Sequence, residues 1–89
     1  MLETIRVEIN TIDEQITRLL EKRMTCVDQV VQEKRRQKLA VHDSSRENFV
    51  LDAVASHITN PDYQESILAT YRHILAQSRD FQNKRLSQD

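Results

Sequence analysis

From Leu2 to about Lys38 the apolar positions fall at Ile5, Ile9, Ile12, Ile16, Leu19, Val27 and Val30. Apart from one gap they advance in steps of three and four, which lines them up on one stripe of a helix. The pattern predicts a single long first helix. Its gap is filled by Arg23, four residues after Leu19 and four before Val27, and Lys34 follows four residues after Val30. Both cations therefore lie on the face that should be buried. Eleven residues bring their side chains within about 20° of each other and roughly 16 Å apart along the axis. Buried lone cations need an anion.

Arg6 stands apart from this pair. It precedes Arg23 by 17 residues, which puts it roughly 100° around the helix and about 25 Å along it. One small ligand cannot reach both from one chain. Arg6 can serve the same site only from a second copy.

A short connection, Leu39 to Val41, and polar residues from His42 to Ser45 separate this helix from a second, predicted over Ser45 to Ile58. Ser44-x-x-Glu47 has the form of a capping box. Val50, Leu51, Val54, Ala55 and Ile58 make its apolar face, and Glu47 either caps the helix or offers a carboxylate to a ligand. Asn60-Pro61 is the clearest punctuation in the chain, with asparagine as N-cap and proline at the first helical position. A third helix is predicted from Pro61 to about Leu86, with Ile67, Leu68, Tyr71, Ile74, Leu75, Ser78, Phe81 and Gln82 inward, and the polar tail from Asn83 to Asp89 is expected to fray. Ser78 and Gln82 occupy places the pattern would give to apolar residues. A buried amide is costly unless hydrogen-bonded, so these two either bond across helices or bind a ligand.

The expected fold is all-α, three helices in a single domain over residues 1–89. A compact globule of this length is roughly 31 Å across, whereas a helix of about 35 residues is roughly 52 Å long. With 38 % hydrophobic residues, two tyrosines, two phenylalanines and no tryptophan, the core of a lone chain is thin. A homo-oligomer sharing its core is expected.

Charge narrows the function classes. Charged residues make up 30 % of the chain, but the net charge is -1, so there is no broad basic field for nucleic acid. Arg35, Arg36 and Lys38 read as a solvated helix end that complements the dipole, while Lys34 is set apart by its face. Cys26 is the only cysteine, and His42, His57 and His73 show no metal-ligand spacing, so neither a disulfide framework nor a metal site is expected. The chain has no glycine, hence no phosphate-cradling loop or dinucleotide fingerprint. No apolar run approaches a membrane span and no leader pattern opens the sequence, which fits the cytoplasm.

Together, Arg23, Lys34, Arg46, Glu47, Ser78 and Gln82 would surround a pocket suited to a small dicarboxylate bearing a hydroxyl. Arg6, Arg23, Lys34, Asp43, Arg46-Glu47, Ser78 and Gln82, with Ile12-Asp13 and Leu19-Leu20-x-x-Arg23, resemble at fitting intervals the all-helical AroQ class of chorismate mutase. The resemblance spans nearly the whole chain and implies an intertwined homodimer that rearranges chorismate to prephenate, without cofactor or covalent intermediate. It implies that Arg23 and Ser78 hold one substrate carboxylate, and Lys34 with Arg6 of the partner subunit the other. Lys34 and Gln82 would meet the ether oxygen, Glu47 the ring hydroxyl, and Asp43 and Arg46 would shape that end. Lys34, Gln82, Arg23 and Glu47 would be the catalytic residues.

Arg79 departs from the resemblance, standing where an apolar pocket residue is expected; it either alters the pocket or points to solvent. Two other readings stay open. An isochorismate-pyruvate lyase on the same scaffold handles a similar dicarboxylate, and a non-catalytic helical dimerisation module would pair its inward cations with acids across the interface.

Overall fold

The computed structural model describes residues 1–88 and is all-α. Helix α1 spans Leu2–Gln37, α2 spans Ser44–His57, and a 3-10 turn at Pro61–Tyr63 leads into α3, Gln64–Leu86. Helix α3 packs against both others, and α1 and α2 meet only through it. The molecule measures 53 × 24 × 15 Å, its long axis set by α1. A helix of 36 residues has that length at 1.5 Å per residue.

The apolar stripe of α1 divides between two uses. Toward its C-terminal end Val27 and Val31 are buried with Leu75 of α3, and these three are the buried apolar core among the described residues. Val31, at 3 % exposure, is the most buried of them and lies one residue past the expected stripe position Val30, which stays exposed. Val27 and Val30 line the cavity described below, and Val31 does not. Over the N-terminal half, Ile5, Ile9, Ile12, Ile16 and Leu19 keep 46, 47, 45, 47 and 65 % of their surface exposed. Within one chain nothing covers them.

The helix ends correct two expectations. Helix α1 begins after Met1 with no side-chain cap. It ends at Lys38, whose φ of 56° and ψ of 42° place it in the left-handed region. The Leu39 N–H then reaches back to the Lys34 carbonyl at 2.8 Å. A glycine would adopt this conformation without steric cost, but the chain contains none. The cap of α2 is Asp43, one residue before the expected Ser44, and its Oδ1 accepts from the Arg46 N–H at 3.0 Å. That frees Glu47 from the capping box. At the third junction Asn60 caps as expected, its Oδ1 accepting from the Asp62 N–H at 2.9 Å, but the first turn from Pro61 is 3-10 rather than α.

The predicted apolar face of α2 is the half-buried one, although none of its residues is fully buried. On α3 the inner positions Leu75, Ser78 and Gln82 are buried as their row predicts. The helix continues through Lys84 and Arg85 to Leu86, further into the expected frayed tail, of which Asp89 lies outside the described residues. No described helix is long and apolar enough to cross a membrane.

Candidate active site

Between the C-terminal half of α1, the start of α2 and the last turns of α3 lies a cavity of about 240 Å³. It falls a little below the usual range of ligand pockets, which starts at about 300 Å³. Seven of the eight residues singled out in the sequence line it: Arg23, Lys34, Asp43, Arg46, Glu47, Ser78 and Gln82. Arg6 does not. It lies near the free end of α1, where it pairs with Glu3 at 3.6 Å on the surface.

The polar groups inside are wired in one direction. Lys34 Nζ donates to the Val41 carbonyl at 2.7 Å and to Gln82 Oε1 at 2.9 Å, and Gln82 Nε2 donates to Ser78 Oγ at 3.1 Å. An ammonium has only donors, so it fixes which end of the Gln82 amide faces it. The amide must then present its N–H groups the other way, and Ser78 receives one of them. Three donors remain, the third N–H of Lys34, the second N–H of Gln82 and the hydroxyl hydrogen of Ser78, beside one lone pair each on Gln82 Oε1 and Ser78 Oγ. Burial of Ser78 and Gln82, at 7 % exposure each, is thereby satisfied internally without using up their capacity to donate.

The cations are the second feature. The Arg23 guanidinium lies over the Tyr71 ring at 5.9 Å, and that of Arg46 lies over Phe49 at 5.3 Å. Among the described residues neither of them, nor Lys34, forms an ion pair with a carboxylate. Of the two acids lining the cavity, Asp43 is committed to the α2 cap and Glu47 accepts from Arg79 Nη1. His42 Nε2 stands 4.0 Å from the other Glu47 oxygen.

Arg79 and His42 are the neighbours of Glu47 that sequence reading did not assign. Arg79 turns inward to an acid, not to solvent, and the signal for it was its place one residue after Ser78 on the inner face of α3. Cys26 also lines the cavity and is exposed. No cluster of three or more His, Cys, Asp or Glu able to hold a metal ion occurs among the described residues.

Fold and cavity together define a class: a small all-helical protein with a cation-rich pocket between its helices. The chorismate mutase type II family matches the chain over residues 5–83, and the chain belongs to that family. No curated protein and no solved structure matches it.

Proposed function

We propose that this chain is a chorismate mutase, one catalytic domain over residues 1–89 that converts chorismate to prephenate at the branch toward phenylalanine and tyrosine in the cytoplasm. The observation that carries the reading is the convergence of Arg23, Lys34 and Arg46 on one cavity with no carboxylate paired to any of them. A dianionic substrate supplies what they lack. Arg23 and the Ser78 hydroxyl grip one carboxylate, and Lys34 with Arg6 of the partner subunit grips the other. Clamped at both ends, the substrate is held in the compact conformer that solution disfavours, and much of the rate follows from that orientation. As the C–O bond breaks, negative charge grows on the ether oxygen. The spare N–H groups of Lys34 and Gln82 meet it already oriented, so no donor has to reorganise during the reaction. Glu47 accepts from the ring hydroxyl, and Asp43 and Arg46 shape that end of the cavity. No proton is transferred, so the reaction requires neither a general base nor a cofactor.

The working unit in this proposal is an intertwined homodimer. Two features support it: the uncovered stripe from Ile5 to Leu19, and Arg6 at the end of α1 remote from its own cavity. A second α1 laid along the first covers the stripe and carries Arg6 to the neighbouring site.

The test is the loss of chorismate absorbance with product identification. Prephenate is the expected product. Salicylate and pyruvate from isochorismate, with chorismate untouched, would assign lyase activity instead. A helical dimer that consumes neither and binds no dianion would leave only the dimerisation role.

A further inference from the structure

Arg79 and Glu47 face each other across the cavity from α3 and α2, 32 residues apart in sequence. Both are withdrawn from solvent, with side-chain exposures of 33 and 21 %. Arg79 Nη1 donates to Glu47 Oε1, and the second carboxylate oxygen, Oε2, faces His42 Nε2 at a distance too long for a hydrogen bond, 4.0 Å. So one oxygen of Glu47 is held and the other keeps its lone pairs. A glutamate has three side-chain torsions, and an untethered carboxylate at a cavity mouth spreads over rotamers and turns to water. Guanidinium has donors only, so its grip on Oε1 cannot compete as an acceptor for a hydroxyl arriving at Oε2.

We propose that Arg79 is a positioning residue that aims Glu47 Oε2 into the cavity and so sets the preference for substrates carrying a ring hydroxyl. The inference rests on the mutase reading and adds to it a residue that would act through Glu47 without touching the reacting atoms. Asp43 cannot hold Glu47, because an ionised carboxylate has no donor and its Oδ1 itself accepts from the Arg46 N–H. Nor can His42 hold Glu47 in the same way, since it does not reach hydrogen-bond distance.

The experiment measures kcat/KM for chorismate and for an analogue with hydrogen in place of the ring hydroxyl, in wild type, Arg79→Met, Arg79→Lys, Glu47→Gln and the Glu47→Gln/Arg79→Met double variant. Circular dichroism and sizing check that each is folded. Arg79→Met is expected to lower the chorismate-to-analogue ratio about 10- to 100-fold, the span of one charge-assisted hydrogen bond. Arg79→Lys restores part of it, and adding Arg79→Met to Glu47→Gln lowers the ratio no further. A ratio unchanged in folded Arg79→Met overturns the proposal while the mutase reading stands. Equal losses on both substrates make the pair a simple tie between helices and overturn it too. A wild-type protein inert toward chorismate removes both readings at once.

Discussion

Replacing Lys34 by methionine keeps the side-chain stem and removes the ammonium. Three effects follow. In the proposed mechanism the donor to the ether oxygen is lost, and one preorganised donor is worth about 2.7 to 4 kcal/mol, or roughly two to three orders of magnitude in rate. The Gln82 amide also loses the group that orients it, so its N–H no longer faces the cavity in every molecule. Both of these lower kcat, because each acts on charge that exists only in the transition state, whereas the weaker grip on the carboxylate that Lys34 shares with Arg6 of the partner subunit raises KM. Third, the Val41 carbonyl and Gln82 Oε1 are left without the ammonium, at a stability cost of about 1 to 3 kcal/mol for each group that water cannot reach. The assay pairs initial rates of chorismate loss with urea unfolding of the same preparation. We expect kcat/KM to fall by at least two to three orders of magnitude, carried chiefly by kcat, with a lowered but intact unfolding transition. Near-normal turnover in folded Lys34→Met would refute the wiring argued from Lys34 through Gln82 to Ser78. A loss confined to KM would refute its transition-state part.

Mixing Arg6→Ala with Arg23→Ala subunits should restore activity, because a heterodimer regains one site with both arginines; exchange of subunits without recovery counts against a shared site. Tyr71→Leu removes the ring beneath Arg23 at 5.9 Å and should raise KM about 3- to 10-fold with kcat little changed, given roughly 1 kcal/mol for a half-buried cation–π contact. A kcat loss larger than the KM rise would place Tyr71 elsewhere in the chemistry. Lys38→Gly relieves the left-handed residue that ends α1 and should add about 1 kcal/mol of stability, read as a higher urea midpoint; a lower midpoint contradicts the strain account.

Much of this fold lies open in the sequence because helices announce themselves through local period and local breaks. The row Ile74, Ser78, Gln82 is read from spacing alone, and two of its members are buried in the site. The cations Arg23 and Lys34 are visible as interruptions of an apolar stripe. What spacing cannot supply is choice between equivalent local solutions. Asp43 and Ser44 are both good caps, and Asp43 takes the position; Glu47 is engaged instead by Arg79, a contact made across 32 residues. The partner of Arg79 was illegible for the same reason, since no local rule relates α2 to α3. Val31 is not legible in the period of the stripe, which passes through Val27 and Val30, both of which line the cavity.

Helix α2 contributes no fully buried residue, and its backbone packs against α3 and not against α1. Within one chain its half-buried face meets α3, and two polar ties secure its approach: Glu47 to Arg79, and Lys34 to the Val41 carbonyl in the connection just before it. Both ties belong to the groups that line the cavity. Ligand occupancy and the local opening of α2 are therefore coupled through the same handful of bonds. A bound dianion should slow amide exchange throughout α2 more than in the C-terminal half of α1, and substitutions that retune the pocket will change how long this helix stays closed.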